Sequence, residues 1–229
     1  MTTAIVTGAS RGLGLALVRA LAERGWRLVI DARGAEALAA VRDELAARTD
    51  VVAIAGDVAD DAHRRELVAA AGPRVELLVN NASVLGPSPQ PALADYPLDV
   101  LERVYRVNVV APLALFQLAL PVLAPGARVV NVTSDAAVEP YEGWGGYGSS
   151  KAALEQVTNV LAAEHPDLRV YAVDPGDMNT QLHQEAYPGE DISDRQPPED
   201  SVPGLVVLVE GDLPSGRYRA SELPVGVEP

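Results

Sequence analysis

Short apolar runs alternate along this chain with longer segments in which apolar residues recur every three or four positions. The spacing of Leu38, Val41 and Leu45 is an example of the second pattern, which is typical of an amphipathic helix. Alternating strands and helices predict an α/β fold, a doubly wound parallel β-sheet flanked by helices, with ligands at the carboxyl ends of the strands. The predicted strands are Ala4–Thr7, Arg27–Ile30, Val51–Ala55, Val75–Val79, Arg128–Val132 and Arg169–Val173.

Four further segments are less regular. The most apolar one, Val107–Leu123, is interrupted by polar residues and prolines, so we predict a buried helix rather than a membrane span. Residues 187–203 are rich in Pro, Asp, Glu and Ser and are predicted to form a mobile acidic loop. Leu205–Val209 has the composition of a strand, but it follows Pro203, which suits the first turn of a helix. Ser215–Ala220 is predicted to be a last edge strand.

Composition narrows the range of partners. The chain has 229 residues, 48% of them apolar, which is enough for one domain, 1–229, with a large core. Its net charge of −14 argues against a nucleic acid or an anionic membrane as a partner. The chain contains no cysteine, and its first predicted strand begins about three residues from Met1, which leaves no room for a signal peptide. These features favour the cytoplasm.

A glycine-rich turn follows the first predicted strand. It reads Gly8-Ala9-Ser10-Arg11-Gly12-Leu13-Gly14 and leads into an apolar helical run. Glycines permit a tight turn and a close approach of the backbone to a ligand, and the free N–H groups at a helix start attract a pyrophosphate. The spacing G-x-x-x-G-x-G differs from the common G-x-G-x-x-G pattern. Its position between a strand and a helix nevertheless predicts a nucleotide site rather than an ordinary turn.

Tyr147 and Lys151 are four residues apart, and Ser134 precedes the tyrosine by thirteen residues. Residues i and i+4 share one face of a helix, so the ammonium of Lys151 is expected near the phenol of Tyr147. A nearby cation lowers a tyrosine pKa from its reference of about 10 and lets the phenol exchange a proton near neutral pH. Such a pair can also simply line a solvated helix face. The nucleotide signature earlier in the chain is what favours catalysis.

Together these motifs resemble the short-chain dehydrogenase/reductase family. The resemblance covers nearly the whole chain and weakens after about residue 180. It implies a single-domain, Rossmann-like oxidoreductase that uses NAD(H) or NADP(H), and it places a helix at Leu205–Val209. Ser83 departs from the family pattern, which usually has glycine there. The motifs that match in order and in approximate spacing are TGASRGLG, NNAS at Asn80–Ser83, Asn108, Ser134, Tyr147, Lys151 and Asp174-Pro175-Gly176.

The resemblance implies a role for each matching residue. Tyr147 is expected to be the general acid in carbonyl reduction, Lys151 to lower its pKa and hold the nicotinamide ribose, and Ser134 to bond the substrate oxygen. Asn108 is expected to anchor a water relay to Lys151; the alternatives are an ordinary polar helix residue at Asn108 and a turn cap at Ser134. Asn80 is expected to hold backbone between neighbouring strands. Cofactor contacts are expected from Gly8, Ser10, Arg11, Gly12, Leu13, Gly14, Arg33, Asp57, Val58, Asn81, Ala82, Tyr147, Lys151, Pro175, Gly176 and Thr180.

Two signals bear on the choice of cofactor. An acidic residue at the end of the second strand commonly binds the ribose 2′-OH, which makes Asp31 an argument for NAD(H). In the family pattern, however, the discriminating position is Ala32, and a small residue followed by arginine resembles NADP(H) users. Arg33 and Arg11 would then bind the 2′-phosphate through charge-assisted hydrogen bonds. We therefore predict NADP(H) as the preferred cofactor, with NAD(H) as the alternative.

The stretch from Pro140 to Tyr147, with Gly-Trp before the tyrosine, resembles the sepiapterin and benzil reductase branch of the family. It implies an NADPH-dependent reductase that converts a ketone or diketone into a secondary alcohol. Tyr141, Trp144 and Met178 are predicted to line the pocket of a small-molecule carbonyl substrate, with packing of Trp144 against its own loop as the alternative. An NAD-dependent secondary-alcohol dehydrogenase and a non-catalytic NADP-binding sensor are the competing functions.

Two further expectations concern metals and assembly. His63, His165 and His183 show no metal-ligand spacing with carboxylates, so no catalytic metal is predicted. The family commonly forms homodimers or homotetramers through two long helices. Val109–Leu120 and Leu154–Leu161 are the candidate faces for such an assembly.

Overall fold

The computed structural model describes residues 2–224. Seven strands form one sheet in the order β3-β2-β1-β4-β5-β6-β7, and all neighbouring strands are parallel. The doubly wound parallel sheet is therefore confirmed. The strands are β1 (Thr3–Val6), β2 (Arg27–Ala32), β3 (Val51–Ala55), β4 (Val75–Asn80), β5 (Leu123–Val132), β6 (Arg169–Asp174) and β7 (Gly216–Arg219).

Helices cover both faces of the sheet. The first, second and eighth pack on one face, where Leu38 and Leu205 are buried. The third, fifth and sixth pack on the other face, where Leu67 and Phe116 are buried. Burying one such side chain contributes about 2 kcal/mol, so the apolar stripes seen in the sequence decide which side of each helix meets the sheet. The helices are α1 (Gly12–Glu23), α2 (Ala35–Leu45), α3 (Asp61–Ala71), α4 (Leu98–Tyr105), α5 (Ala111–Ala119), α6 (Gly145–Glu164), α7 (Gln181–Ala186) and α8 (Val202–Glu210).

The segment predicted as one buried helix, Val107–Leu123, is not uniform. A π-helical turn, Arg106–Val110, joins α4 to α5, and a 3₁₀ turn follows α5 before β5 begins at Leu123. Val110 is 54% exposed, so the prediction of burial holds for only part of the segment. The helical run Leu98–Val122 is long and apolar enough to cross a membrane by length and composition alone. In this protein 44% of its most apolar window is buried, and core helices meet the same criterion.

The last third of the chain follows the predictions with one change of boundary. Leu205–Val209 lies in α8, with Pro203 in its first turn, so the helix is confirmed. Its valines favour a strand by propensity, but burial of this helix against the sheet prevails. The predicted loop 187–203 is shorter than expected, because a 3₁₀ turn at Pro198–Ser201 leads directly into α8. The predicted last edge strand is present as β7, and it pairs with β6.

The strand order reverses between β1 and β4. The chain first builds outward from β1 to β3 and then crosses back to β4 on the other side of β1. Loops that leave the carboxyl ends of β1 and β4 therefore diverge and open a crevice, which is where ligands bind in folds of this kind. The glycine turn after β1, the NNAS sequence after β4 and Ser134 after β5 all meet at this edge.

Candidate active site

The glycine turn takes backbone conformations that other residues disfavour. Gly8 has a φ of 68° and Gly12 a φ of 54°, both in the left-handed region. Gly14 is packed so closely that a Cβ atom there would overlap the Gly8 carbonyl oxygen. The side chain of Arg11 does not cap α1, so it leaves the N–H groups of the first turn to a phosphate. These residues fit a bound dinucleotide.

Side chains from neighbouring strands hold this turn in place. The Asn81 amide donates to the carbonyl oxygens of Thr7, over 2.8 Å, and Gly8, over 3.1 Å. The Thr7 hydroxyl accepts from the Asn81 and Ala82 N–H groups, each over 3.0 Å. Asn80 was expected to hold backbone between strands, but its amide donates to the side chain of Asn131 at 2.8 Å. Asn81 performs the backbone role, because its side chain points toward β1 instead of β5.

The end of β2 differs from a typical NAD(H) site. Asp31 is buried, and its Oδ1 accepts from the Gly8 N–H over 2.7 Å. Its Oδ2 lies 2.9 Å from Nε2 of His63. Each carboxylate oxygen thus has a hydrogen-bonding partner within the protein, at a position that also borders the cleft. Ala32 is the last residue of β2, and the exposed Arg33 follows it at the cleft.

Two arginine side chains near the glycine turn and Asp57 make contacts that could not be predicted from the sequence. Asp57, one of the expected cofactor contacts, accepts from the Ala59 N–H over 2.9 Å and pairs with Arg103 of α4. Burial alone would raise the pKa of Asp57, but the Ala59 N–H and Arg103 hold that pKa below its usual value. Arg11 donates to the side chain of Gln181, at the start of α7. Arg103 was missed because it is 46 residues from its partner.

The proposed catalytic side chains come from β5 and α6. Ser134 follows β5, and its hydroxyl donates to Asp135 Oδ1 over 2.9 Å. This hydroxyl also caps a short 3₁₀ turn, so the turn-cap alternative applies alongside any role in the cleft. Tyr147 and Lys151 share one face of α6, with Nζ 5.4 Å from the centroid of the phenol ring. Both are buried yet reach the cleft.

The pKa of Tyr147 differs in direction from the expectation. Burial, reinforced by the charges of Asp135 and Asp174, raises the pKa of Tyr147 above its ordinary value, and the nearby Ser83 hydroxyl opposes this rise. Lys151 does not oppose this rise in the pKa of Tyr147, because burial disfavours the lysine's own charge and lowers its pKa to about 7. The i, i+4 spacing predicts the proximity correctly, but it carries no information about desolvation.

Asn108 lies in the π-helical turn and is fully hydrogen-bonded. Its Oδ1 accepts from the Val84 N–H at 2.9 Å and from the Ser83 hydroxyl at 3.1 Å. Its Nδ2 donates to the Val84 carbonyl at 2.9 Å and to the Ser150 hydroxyl at 3.0 Å. Lys151 instead donates to the Val132 carbonyl at 2.8 Å. Asn108 therefore joins the loop after β4 to α6, and it makes no direct contact with the lysine ammonium.

The end of the cleft beside Tyr147 is aromatic. The Trp144 ring lies 5.9 Å from the Tyr147 ring in an edge-on arrangement and 6.1 Å from the Tyr187 ring. The Tyr141 hydroxyl donates to Asp135 Oδ2 over 2.9 Å. Sequence reasoning named Tyr141 and Trp144 but missed Tyr187, which lies in the stretch predicted as a loop. Asp135 was also missed, although its position directly after Ser134 was a usable signal.

A single cleft of about 860 Å³ brings these parts together. Of the predicted site residues, Gly14 lies beneath the glycine turn and Asn108 behind the cleft wall; the others line the cleft. Those lining residues are Gly8, Ser10, Arg11, Gly12, Leu13, Arg33, Asp57, Val58, Asn81, Ala82, Ser134, Tyr141, Trp144, Tyr147, Lys151, Pro175, Gly176, Met178 and Thr180.

Each of the three histidines lies next to another side chain of the protein. His63 pairs with Asp31, and the His165 ring packs 5.3 Å from the ring of Phe116. His183 lies 4.0 Å from Asp177 at the edge of the cleft. Among residues 2–224, no group of three or more histidine, cysteine, aspartate or glutamate side chains is arranged to hold a metal ion.

Comparison with known proteins identifies relatives across most of the chain. The family model described as short chain dehydrogenase matches residues 2–191. A rhamnolipids biosynthesis 3-oxoacyl-[acyl-carrier-protein] reductase of Pseudomonas aeruginosa is 40% identical over 171 residues, which cover 70% of this chain and just under two thirds, 66%, of that protein. Sepiapterin reductase of Mus musculus is 35% identical over 197 residues, covering 79% of this chain and 76% of that enzyme.

A solved structure of a short chain dehydrogenase has a similar fold. A short chain dehydrogenase of Shigella flexneri complexed with NADP superposes with a TM-score of 0.88, at 26% identity, over 96% of this chain and 97% of that one. The predicted similarity to the sepiapterin reductase branch is confirmed by the mouse relative. The chain therefore belongs to the short chain dehydrogenase family of oxidoreductases, which interconvert an alcohol and a carbonyl group with a nicotinamide dinucleotide.

Proposed function

We propose that this protein is an NADPH-dependent reductase that converts a ketone or diketone into a secondary alcohol. The observation that carries the proposal is that Ser134, Tyr147 and Lys151 open onto the same cleft as the glycine turn. A dinucleotide held by that turn would share the cleft with a carbonyl compound beside the phenol. Positioning of this kind lowers the barrier by orienting the reacting groups.

NADP(H) is the proposed cofactor, rather than NAD(H). Asp31 is a poorer acceptor for a ribose 2′-OH than a carboxylate without partners, because Gly8 and His63 already bond to its two oxygens. Ala32 leaves room at the position where an acid would repel a phosphate, and Arg33 lies next to it. An arginine fork binds phosphate through charge-assisted hydrogen bonds. Relatives solved with NADP or NADPH agree with this preference.

The chain's own residues supply the proton and the charge stabilisation. A bound nicotinamide would supply the hydride. Burial keeps the Tyr147 phenol protonated at neutral pH, and the protonated phenol is the form that can donate to a carbonyl oxygen. The Ser134 hydroxyl stabilises the charge that develops on that oxygen, once it turns from Asp135. When it is protonated, Lys151, whose Nζ lies 5.4 Å from the ring centroid, stabilises the phenolate that remains.

A small, uncharged carbonyl compound is the proposed substrate class. Aromatic rings line the end of the cleft beside Tyr147, and they suit an apolar or aromatic ketone. Asp135, Glu142 and Asp177 lie at the same end and disfavour an anion. Two relatives are named as reductases of sepiapterin and of benzil: the mouse enzyme and a protein of Saccharomyces cerevisiae that is 32% identical over 193 residues.

An initial-rate assay tests this function. The purified protein is given a panel of ketones and vicinal diketones with NADPH or NADH at equal low concentration, and loss of reduced-cofactor absorbance is followed. We expect turnover of at least one diketone or aryl ketone and a clear preference for NADPH, which Arg33→Ala diminishes. A preference for NADH would reverse the cofactor assignment. Tight NADPH binding without turnover of any panel member would instead indicate a nucleotide-binding sensor.

The proposed working state is a homodimer or homotetramer in the cytoplasm that acts on a small molecule rather than on nucleic acid or membrane. Val110 in the π-helical turn and Val160 in α6 are 54% and 43% exposed, and they leave apolar surface on the two helical segments named for assembly. Light scattering coupled to size-exclusion chromatography measures the mass directly. A monomer at micromolar concentration would contradict this part of the proposal.

A further inference from the structure

Asp31 and His63 form a buried pair behind the glycine turn. Their side chains are 1% and 6% exposed, and Oδ2 of the aspartate lies 2.9 Å from Nε2 of the histidine. A carboxylate only accepts hydrogen bonds, so Nε2 carries the hydrogen in this contact. The other oxygen of Asp31 accepts from the Gly8 N–H over 2.7 Å. One carboxylate thus connects His63 to the first glycine of the turn.

The His63 ring also packs against a second segment that lines the cleft, at Gly56. It lies on α3 against the end of β3, where a Cβ atom at Gly56 would overlap the ring. The Gly56 N–H donates to the Ala32 carbonyl over 3.0 Å, which ties this position to the end of β2. Gly8, Asp31 and Gly56 line the cofactor cleft. His63 therefore lies behind three residues that line the cleft.

We propose that His63 is a positioning residue that acts through Asp31 to set the preference for NADP(H) over NAD(H). By holding Oδ2, His63 keeps the carboxylate turned toward Gly8 and away from the ribose. A carboxylate released at this strand end would accept hydrogen bonds from a ribose 2′-OH and would repel a 2′-phosphate. The inference rests on the proposed NADP(H) preference and assigns it a cause outside the residues that contact the cofactor.

Replacing His63 by a residue without a suitable donor removes one of the two hydrogen bonds that the Asp31 carboxylate accepts. A buried carboxylate with one donor fewer is strongly destabilised, so the side chain gains by turning toward the cleft and its water. That movement weakens the bond to the Gly8 N–H and moves negative charge toward Arg33. Both effects disfavour the 2′-phosphate, whereas the new acceptor favours a 2′-hydroxyl. The two nucleotides are therefore expected to respond in opposite directions.

The experiment compares three substitutions by direct nucleotide binding. His63→Leu and His63→Asn remove the donor, because leucine has none and the asparagine amide is too short to reach Asp31. His63→Gln is the matched control, since its amide nitrogen can occupy the place of Nε2. Dissociation constants for NADPH and NADH are measured by titration calorimetry. We expect the ratio of NADH to NADPH dissociation constants to fall about tenfold or more in the first two variants and to change less than about threefold in His63→Gln.

A second arm separates positioning from simple stability. In an Asp31→Asn background, His63→Leu should no longer change the ratio, because the carboxylate through which it acts is gone. Chemical unfolding without nucleotide measures the stability of each variant. Equal weakening of both nucleotides by His63→Leu and His63→Asn, or an unchanged ratio, would overturn the inference. If the wild-type protein binds neither nucleotide, or prefers NADH, the proposed function itself is wrong and the inference falls with it.

Discussion

The ammonium of Lys151 donates a 2.8 Å hydrogen bond to the carbonyl of Val132, the last residue of β5. This bond ties α6 to the strand that delivers Ser134 two residues later. Because Tyr147 lies one turn before Lys151 on the same helix, the bond also fixes the phenol relative to the serine loop. Ser134 and Tyr147, which are thirteen residues apart in sequence, therefore lie together at the cleft.

The first prediction concerns the phenol. Tyr147→Phe removes the proton donor but keeps the ring that packs with Leu85 and Ala136. Carbonyl reduction is expected to fall about a hundredfold or more, the usual effect of losing a general acid, while the NADPH dissociation constant stays within about threefold. Tyr141→Phe is the matched control, because it deletes a second phenol of the cleft that bonds Asp135, and it should keep most of the turnover. Near-normal turnover by Tyr147→Phe would refute the assigned acid.

The sequence predicts the fold and most of the cleft because the signals are local. A strand, a glycine turn and a helix start within fifteen residues define the phosphate site. The alternation of strand and helix then brings Ser134, Tyr147 and Lys151 to the same edge of the sheet, because parallel strands end together. Every residue predicted to line the cleft on this basis does so, apart from Gly14 and Asn108, which support it from behind.

Pairings between distant residues could not be predicted in this way. Asp31 and His63 are 32 residues apart, and only the packing of α3 against β2 and β3 joins them. The direction of the Tyr147 pKa was wrong for a related reason. The sequence shows which groups are neighbours along a helix, but desolvation depends on every element packed around them.

The second prediction concerns Lys151 and pH. Burial lowers the pKa of Lys151 to about 7, whereas an unfolded lysine titrates near 10.5. Between these values the unfolded chain binds a proton that the folded chain lacks, so this group makes the free energy of unfolding rise with pH. Lys151→Met removes the group. Its free energy of unfolding minus that of the wild type should therefore be most positive near pH 6 and fall toward pH 10, by an amount on the order of a few kcal/mol.

Urea unfolding at several pH values between 6 and 10 measures this difference. The hydrogen bond to Val132 is lost from the variant at every pH, so the change of the difference with pH, rather than its absolute size, reports the titration of the buried lysine. Parallel curves for the two proteins would show that Lys151 keeps an ordinary pKa in the folded state.

The third prediction compares the contributions of Asn108 and its neighbour Ser83 to stability. Asn108→Ala leaves both backbone groups of Val84 without a partner and removes the donor to the Ser150 hydroxyl, which keeps its own bond to the Tyr147 carbonyl, so the free energy of unfolding should fall by about 3 kcal/mol. Ser83→Gly restores the residue typical of the family and removes one hydroxyl that donates to Asn108 over 3.1 Å. Its cost should stay below about 1 kcal/mol, with turnover within about threefold. Chemical unfolding and NADPH-linked rates measure both. Equal destabilisation by the two substitutions would contradict the assignment of Asn108 as the structural link.

The fourth prediction tests the glycine turn. A Cβ atom at Gly14 would overlap the Gly8 carbonyl and the Asn81 amide, which bond each other over 3.1 Å. Gly14→Ala must therefore displace the turn, and NADPH binding should weaken at least about a hundredfold. Gly34→Ala is the control for folding, since a Cβ atom there meets nothing within 4 Å and its φ is −84°. It should keep the free energy of unfolding within about 0.5 kcal/mol. Unaltered NADPH affinity in Gly14→Ala, measured by calorimetry, would show that the turn does not bind the pyrophosphate.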